Sequence, residues 1–452
     1  MKGHMVVGRP ARGHQREAIM KDYSQDVIDT LTDLVKMDTV EAAPEAGAPC
    51  GVGVRRALDY TLALFDKWGF RTKDLDGYCG WAEIGEGELF GVLAHLDTVP
   101  LGEGWRYGPL SATIADGKMY GRGTQDDKGP LVASMYALKS LLDEGKAPKM
   151  RIRFIFGCNE ETGWQCIERY LATEEIPTTA ISPDGDFPVI NCEKGLGHFE
   201  LDLPCPAVLS ALESGDRVNM VPDKAEATVG LMTEEMRAVA AKEGVRITQN
   251  GDVYHLTATG KSAHGSTPEL GENALVKVLA VLSKGDAALS RIYDALSEST
   301  GKGLGIDLSD EVSGALSMNV GYGHVRAGRL LVGLDIREPI TTTNAEIAAR
   351  IEAALPEGTL RLVHEHPSLY IAADHPLVAG LLAAYREVTG DMTAPLTIGG
   401  ATYARALPCA VAFGPVFPGD EEMCHQVDEY VRLDRLEEMR AIYRAAFDKI
   451  CF

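Results

Sequence analysis

The chain has no run of apolar residues near the ~20 that a membrane helix needs, which argues against a spanning segment. It has no Cys-x-x-Cys pair; its nine cysteines are scattered and odd in number, a pattern that fits a reducing cytoplasm better than a disulfide scaffold. Basic residues are outnumbered 44 to 66 by acidic ones, and the net charge of −22 argues against nucleic acid or an anionic membrane as partner. Met1 to Ile19 is rich in Gly, Arg and His without an apolar centre, so it does not read as a secretory signal. The globular pattern starts at Met20, with Val27, Leu31, Leu34 and Val35 on one helical face. Initiation at Met20 is therefore expected, a disordered native tail being the competing view. At 452 residues the chain exceeds one hydrophobic core, and two or more lobes are expected.

What is present is a set of metal-ligating side chains at strand ends. Leu89–Ala94 reads as a strand apolar on both faces, the kind found inside an α/β sheet. His95 and Asp97 follow it, two residues apart and pointing to the same side. A second apolar run, Ile152–Phe156, delivers Glu160 and Glu161 in the same way. Ligand sites in open α/β sheets form at the carboxyl ends of the strands. Between the two runs lies Gly-Arg-Gly-Thr-Gln-Asp126-Asp-Lys-Gly-Pro. Its glycines could suggest a phosphate cradle, but the Gly-Lys-Ser/Thr ending is missing and its two carboxylates would repel phosphate. Two adjacent glutamates on an extended segment alternate sides, so one can ligate while the other faces a water. Each fragment alone has an ordinary reading: His-x-Asp as a surface or capping pair, Glu-Glu as a solvated helix start. A site for two divalent ions needs imidazoles and carboxylates from several segments, a bridging carboxylate and open positions for water.

Seven motifs occur in order: His95-x-Asp97, the Asp126 loop, Glu160-Glu161-Thr-Gly, Ser-Pro-Asp184, Asn219-Met-Val-Pro-Asp, Gly-Lys-Ser-Ala-His264-Gly and a late His425. In these the chain resembles metallopeptidases of the M20 clan, and within it the PepV-like (Sapep-type) dipeptidases, from about residue 20 to the end. The resemblance implies that His95 and Asp184 hold one divalent ion and Glu161 and His425 a second, that Asp126 bridges them, and that the Asp126–Asp127 peptide is cis. Zn²⁺, Mn²⁺ and Co²⁺ all suit such ligands, Zn²⁺ first. It implies further that Asp97 orients the imidazole of His95 and that Glu160 is the general base for a metal-activated water. His264 matches a lid group that stabilises the oxyanion. Asn219 and Arg337 match groups for the substrate's terminal carboxylate. Without the resemblance, His264 reads as a turn histidine and Arg337 as a salt-bridge arginine. The loop Ile398-Gly-Gly400-Ala-Thr402 resembles a substrate-contacting loop, with Ala401 where glycine is frequent. Cys424 beside His425 is read as a neighbour rather than a ligand.

The expected fold is α/β with two domains: a mixed-sheet sandwich carrying the metals, residues 1–195 and 370–452, and an inserted α+β lid, residues 196–369. That insert has the length of a full domain. A helix is expected over Pro130–Leu142 and a last one over Leu433–Ile450, and Asp374 and Pro376 are expected to open another, as cap and first-turn residue. In the PepV-like branch a doubled lid supplies both halves of the site from one chain, so a monomer is expected. The function implied is hydrolysis of dipeptides. The alternatives are an amidohydrolase acting on N-acyl or carbamoyl amino acids, and a metal-free descendant that binds peptides without cutting them; the presence of every ligand and of Glu160 stands against the last.

Overall fold

The computed structural model describes residues 22–452; the Met1–Ile19 segment and the proposed start at Met20 lie outside the described residues. Strands β1 (Leu89–His95), β2 (Arg151–Gly157) and β3 (Thr179–Ser182) run parallel at the centre of a nine-stranded mixed sheet. Every residue of β1 is buried. Its odd and even positions serve different cores, which is why the sequence there is continuously apolar rather than alternating. Phe90, Val92 and Ala94 join Ile152, Phe154 and Phe156 of β2 under one helical layer. Leu93 and Ile155 pack on the opposite face with Ile167, Tyr170 and Tyr403.

The first layer includes α1 (Ser24–Val35), α2 (Lys128–Asp143), α3 (Pro376–Thr389) and α4 (Leu433–Ile450). α2 packs against both α1 and α4. The apolar faces read from sequence are the buried ones: Val27, Leu31, Leu34 and Val35 in α1, and Leu436, Met439, Tyr443 and Phe447 in α4. α3 begins at Pro376 as expected, but its cap is not Asp374. The His375 ring accepts the Leu377 N–H at 3.3 Å, so the imidazole occupies the position assigned to the carboxylate one residue earlier. None of the described helices is long and apolar enough to cross a membrane.

A second, wholly antiparallel sheet of eight strands contains β4 (Gly195–Pro204), β5 (Ser317–Arg326), β6 (Arg329–Glu338) and β7 (Thr359–His366). Alternation is clear in β4, where Phe199, Leu201 and Leu203 face inward. They meet Leu330, Val332, Leu334 and Ile336 of β6 and the helical residues Val278, Leu282, Ile347 and Ile351. This α+β unit thus has a core of its own. It joins the first sheet where the chain leaves and returns side by side: Leu369 and Tyr370 pair antiparallel with Glu193 and Cys192.

At the end of β6, Glu338 is 2 % exposed and its Oε2 has no hydrogen-bond partner. Burial raises its carboxyl from the usual 4.5 to about 7, against the pull of Arg405 and Arg337. The folded protein keeps this proton where the unfolded chain has released it, so its contribution to stability falls as pH rises from about 4.5 through 7. Glu338→Gln, neutral and of the same shape, is expected to add on the order of 2–3 kcal/mol near pH 8 and to flatten the pH slope in urea unfolding. A variant less stable than the parent at pH 8 would contradict this account.

Candidate metal centre and active site

Because β1, β2 and β3 are parallel neighbours, their carboxyl ends share one edge of the sheet, and each releases a ligating residue there. His95 is the last residue of β1, Glu160 and Glu161 follow the end of β2, and Asp184 follows β3. Asp126 comes from the turn that leads into α2, across a cis Asp126–Asp127 peptide. The motif glycines serve that turn rather than a ligand: a Cβ on Gly129 would sit 2.1 Å from the Thr124 carbonyl oxygen. His425 arrives from the segment before α4 with φ of +65°.

Asp126 lies between the imidazoles. Its Oδ1 is 2.9 Å from His95 Nε2 and its Oδ2 is 3.0 Å from His425 Nε2. Glu161 Oε2 is 3.2 Å from His425 Nε2, and Asp184 Oδ2 is 3.9 Å from His95 Nε2. Donor atoms of His95, Glu160 and Asp184 lie within 4.8 Å of one another, as do those of His95, Asp126 and Glu161. The other oxygen of Glu161, Oε1, is buried and has no partner. A single imidazole on each side of a bidentate carboxylate, with acidic oxygens completing each group, is a donor set that fits a pair of divalent ions.

The electrostatics point the same way. Burial pushes Asp184 up to about 7, with Asp126 adding to it. Glu160 is raised well above the carboxylate range by burial, against the pull of His95 and with Asp184 and Glu161 adding to the rise. Hydrogen bonds to Asp126 and then Glu161 lift His425 to about 10. Burial disfavours charge on His95, but Asp126 and Asp97 overcome it and raise its pKa. Asp184, Glu160 and both imidazoles thus retain protons to balance the crowding, and cations binding here would release them.

Two supports depart from the sequence reading. The His95 Nδ1 contact at 3.0 Å is to the backbone oxygen of Asp97, while the nearest carboxylate oxygen is 3.6 Å away. The Asp97 carboxylate instead accepts the N–H groups of Glu160 and Glu161, each at 3.1 Å. This folds the glutamate pair into a turn, so it is not the extended segment expected. The split between the two survives, since Glu160 groups with Asp184 and Glu161 with Asp126. Trp164, at φ of +62°, donates its indole N–H to Glu160 Oε1 at 3.2 Å. Neither Trp164 nor Asp127, whose Oδ2 accepts the His95 N–H at 3.1 Å, was singled out from sequence.

A cleft of about 290 Å³ opens on these residues; Asp126, Glu160, Glu161, Asp184 and His425 line it together with Thr402. Cys424 lines it too, but burial raises its thiol pKa and its Sγ contacts Gln125 Oε1 at 3.3 Å, as befits a neighbour. Thr402 turns its polar atoms away: its hydroxyl and N–H go to buried Glu193, at 2.5 and 3.2 Å. Arg405 donates to the same Glu193 at 2.8 Å and to the Gly400 carbonyl at 3.1 Å, which fixes the loop.

The three residues assigned to the lid gather with one another but not on this cleft. A Cβ on Gly265 would lie 2.3 Å from Asp335 Oδ2 and 3.0 Å from Asn219 Cα, so only glycine lets His264 follow Asn219 this closely. His264 Nδ1 is 2.7 Å from Ser266 Oγ, and burial followed by Arg337 lowers its pKa, which keeps the ring neutral. Arg337 holds both oxygens of Asp335, at 2.7 and 2.9 Å, and spans to the first unit through the Gly399 carbonyl at 2.7 Å. The Asp335-x-Arg337 spacing, one face of a strand, was the available signal for that pair.

Residues 91–449 match the model of peptidase family M20/M25/M40. The chain belongs to this family. It is 39 % identical over 94 % of its length, and 96 % of the relative's, to a Bacillus subtilis protein named "Putative dipeptidase YtjP". It is 36 % identical over 96 % of its length, and 98 % of the relative's, to the Staphylococcus aureus protein "Putative dipeptidase SAR1836". Aminoacylhistidine dipeptidase from Vibrio alginolyticus shares the fold, with a TM-score of 0.57 at 13 % identity over 96 % of this chain and 98 % of that one.

In this M20-family hydrolase, Asp97 anchors the turn that presents both glutamates. Asp97→Asn, which replaces one acceptor oxygen by a donor, is expected to weaken divalent metal binding ~10–100-fold, read by chelator competition. Unchanged affinity would show that the turn holds without the carboxylate.

Proposed function

We propose that the chain is a dinuclear metal-dependent dipeptidase, acting on short peptides with a free terminal carboxylate. The observation that carries this reading is Asp126 presenting one oxygen to each of two imidazoles, beside a second carboxylate poised to act on water. The names of the Bacillus and Staphylococcus relatives support the substrate class. His95 and Asp184 would hold one ion and Glu161 and His425 the other, with Asp126 shared. Zn²⁺, Mn²⁺ or Co²⁺ bound there supplies Lewis acidity, polarising the scissile carbonyl and making a water acidic.

The chain's own residues do the rest. Glu160, steadied at Oε1 by Trp164, takes a proton from the attacking water and delivers it to the departing amine nitrogen. Asn219 and Arg337 receive the substrate's terminal carboxylate, Arg337 exchanging its Asp335 or Gly399 contacts for that pair. His264 donates to the oxyanion that develops on the scissile carbonyl. Because these lid groups do not line the metal-side cleft, turnover includes a closing motion of the lid. Residues 1–195 and 370–452 are assigned to the catalytic domain and 196–369 to the lid, hinged where Leu369 pairs with Glu193. The insert's length, that of a full domain, supports a working monomer, and nine free cysteines support a cytoplasmic setting.

Two measurements test this. Glu160→Gln is expected to lower kcat ~10²–10⁴-fold while bound metal stays near the parent's level; full activity would remove Glu160 from the base role. Metal-stripped protein reloaded with Zn²⁺ or Mn²⁺ is expected to cleave free dipeptides and to leave N-acetyl amino acids intact. Cleavage confined to the acylated compounds would make the protein a deacylase.

A further inference from the structure

Glu429 is fully buried and takes no part in the chemistry described above, yet its carboxylate is saturated by the loop that carries Asp126. Its Oε1 accepts the N–H of Gln125 at 2.8 Å and of Asp126 at 3.2 Å. Its Oε2 accepts the N–H of Gly123 at 3.1 Å and the Arg122 guanidinium at 2.8 Å. Its backbone oxygen takes a further N–H from Gly121, at 2.9 Å. Arg122 reaches on to the Gln426 carbonyl at 3.1 Å. From the other side, Gln125 Oε1 accepts the Met423 N–H at 2.6 Å. The turn that carries His425 is thus stitched at both ends to the loop that carries Asp126.

That turn needs such stitching. It contains no helix or strand, and His425 and Asp428 both hold left-handed backbone at φ of +65° and +60°. The His425 side chain is 53 % exposed, so packing does little to fix it. His95 differs: it ends a fully buried strand, and its N–H is held by Asp127.

Resting on the dinuclear reading, we infer that Glu429 is a positioning residue that chiefly sets the occupancy of one metal position, the one formed by Glu161 and His425; Asp126 is shared by both positions, but its Oδ1 stays engaged by His95 at the end of a fully buried strand, so the His95–Asp184 position depends on Glu429 less. Replacing one acceptor oxygen by an NH₂ group turns a donor toward backbone N–H groups, so Glu429→Gln releases the Asp126 loop and the His425 turn from each other. Ligand-support changes of this kind weaken metal binding ~10–100-fold.

The test is metal stoichiometry and stepwise affinity on the full chain, by elemental analysis after gel filtration and by chelator competition with Zn²⁺. The parent is expected to bind two ions. Glu429→Gln is expected to retain one at the parent's affinity and to bind the other at least tenfold more weakly. Gln125→Met, at a half-buried position, removes the acceptor for Met423 N–H and is expected to produce a smaller loss confined to the same ion; it decides the matter if Glu429→Gln does not fold. Two ions at parental affinity in the variants, or parallel weakening of both, would overturn the inference. A parent chain that binds fewer than two ions would instead bring down the dinuclear reading, and this inference with it.

Discussion

Four carboxylates, those of Asp126, Glu160, Glu161 and Asp184, converge with two imidazoles at one edge of a sheet, and their mutual repulsion is the constraint that the surrounding structure must overcome. Burial makes the crowding worse, since it removes the water that would screen it. Such an arrangement holds only if each backbone segment is anchored by something other than the ligands themselves. β1 and β2 provide that for His95 through two packed cores. The carboxylates of Asp97 and Glu429 provide it for the turns, by gripping peptide N–H groups. The acidic centre is thus ringed by further acids whose charge is spent on the backbone.

This division explains what could be read from the sequence. Candidate site residues declare themselves by residue type and motif, several of them after apolar runs, so His95, Asp126, Glu160, Glu161, Asp184 and His425 could be named from the sequence, and the structure brings them together around one cleft. The central strands and the last helix were legible for the same reason, their periodicity being strong. The anchoring carboxylates carry no such signature. Nothing in the residues around Glu193 and Glu429 marks them as anchors, since their role depends on N–H groups supplied by remote stretches of chain. His375 stands in for Asp374 as the cap, since either side chain can offer an acceptor and residue type alone does not choose between them. The Glu160–Glu161 pair was read as extended because its turn is imposed by Asp97, more than sixty residues earlier.

The lid follows other rules. Its residues are ordered by one-faced alternation and by its own apolar core, so it requires little from the catalytic sheet beyond a seat. Its polar groups near the junction are held in reserve by each other: Arg337 by Asp335 and His264 by Ser266. Under the proposed assignment, a substrate carboxylate would compete with partners already in place, and recognition would be an exchange rather than the filling of a vacancy.

The side-by-side strands at the junction carry a consequence for how such a molecule could arise. Glu193 and Leu369 are hydrogen-bonded neighbours, so a tight turn could join them directly and leave the first sheet's strand order unchanged. Everything between them is grafted onto what could otherwise be a plain hairpin. A lineage could lengthen, double or exchange that graft while inheriting the metal cradle intact, because no ligand assigned to the cradle lies within it.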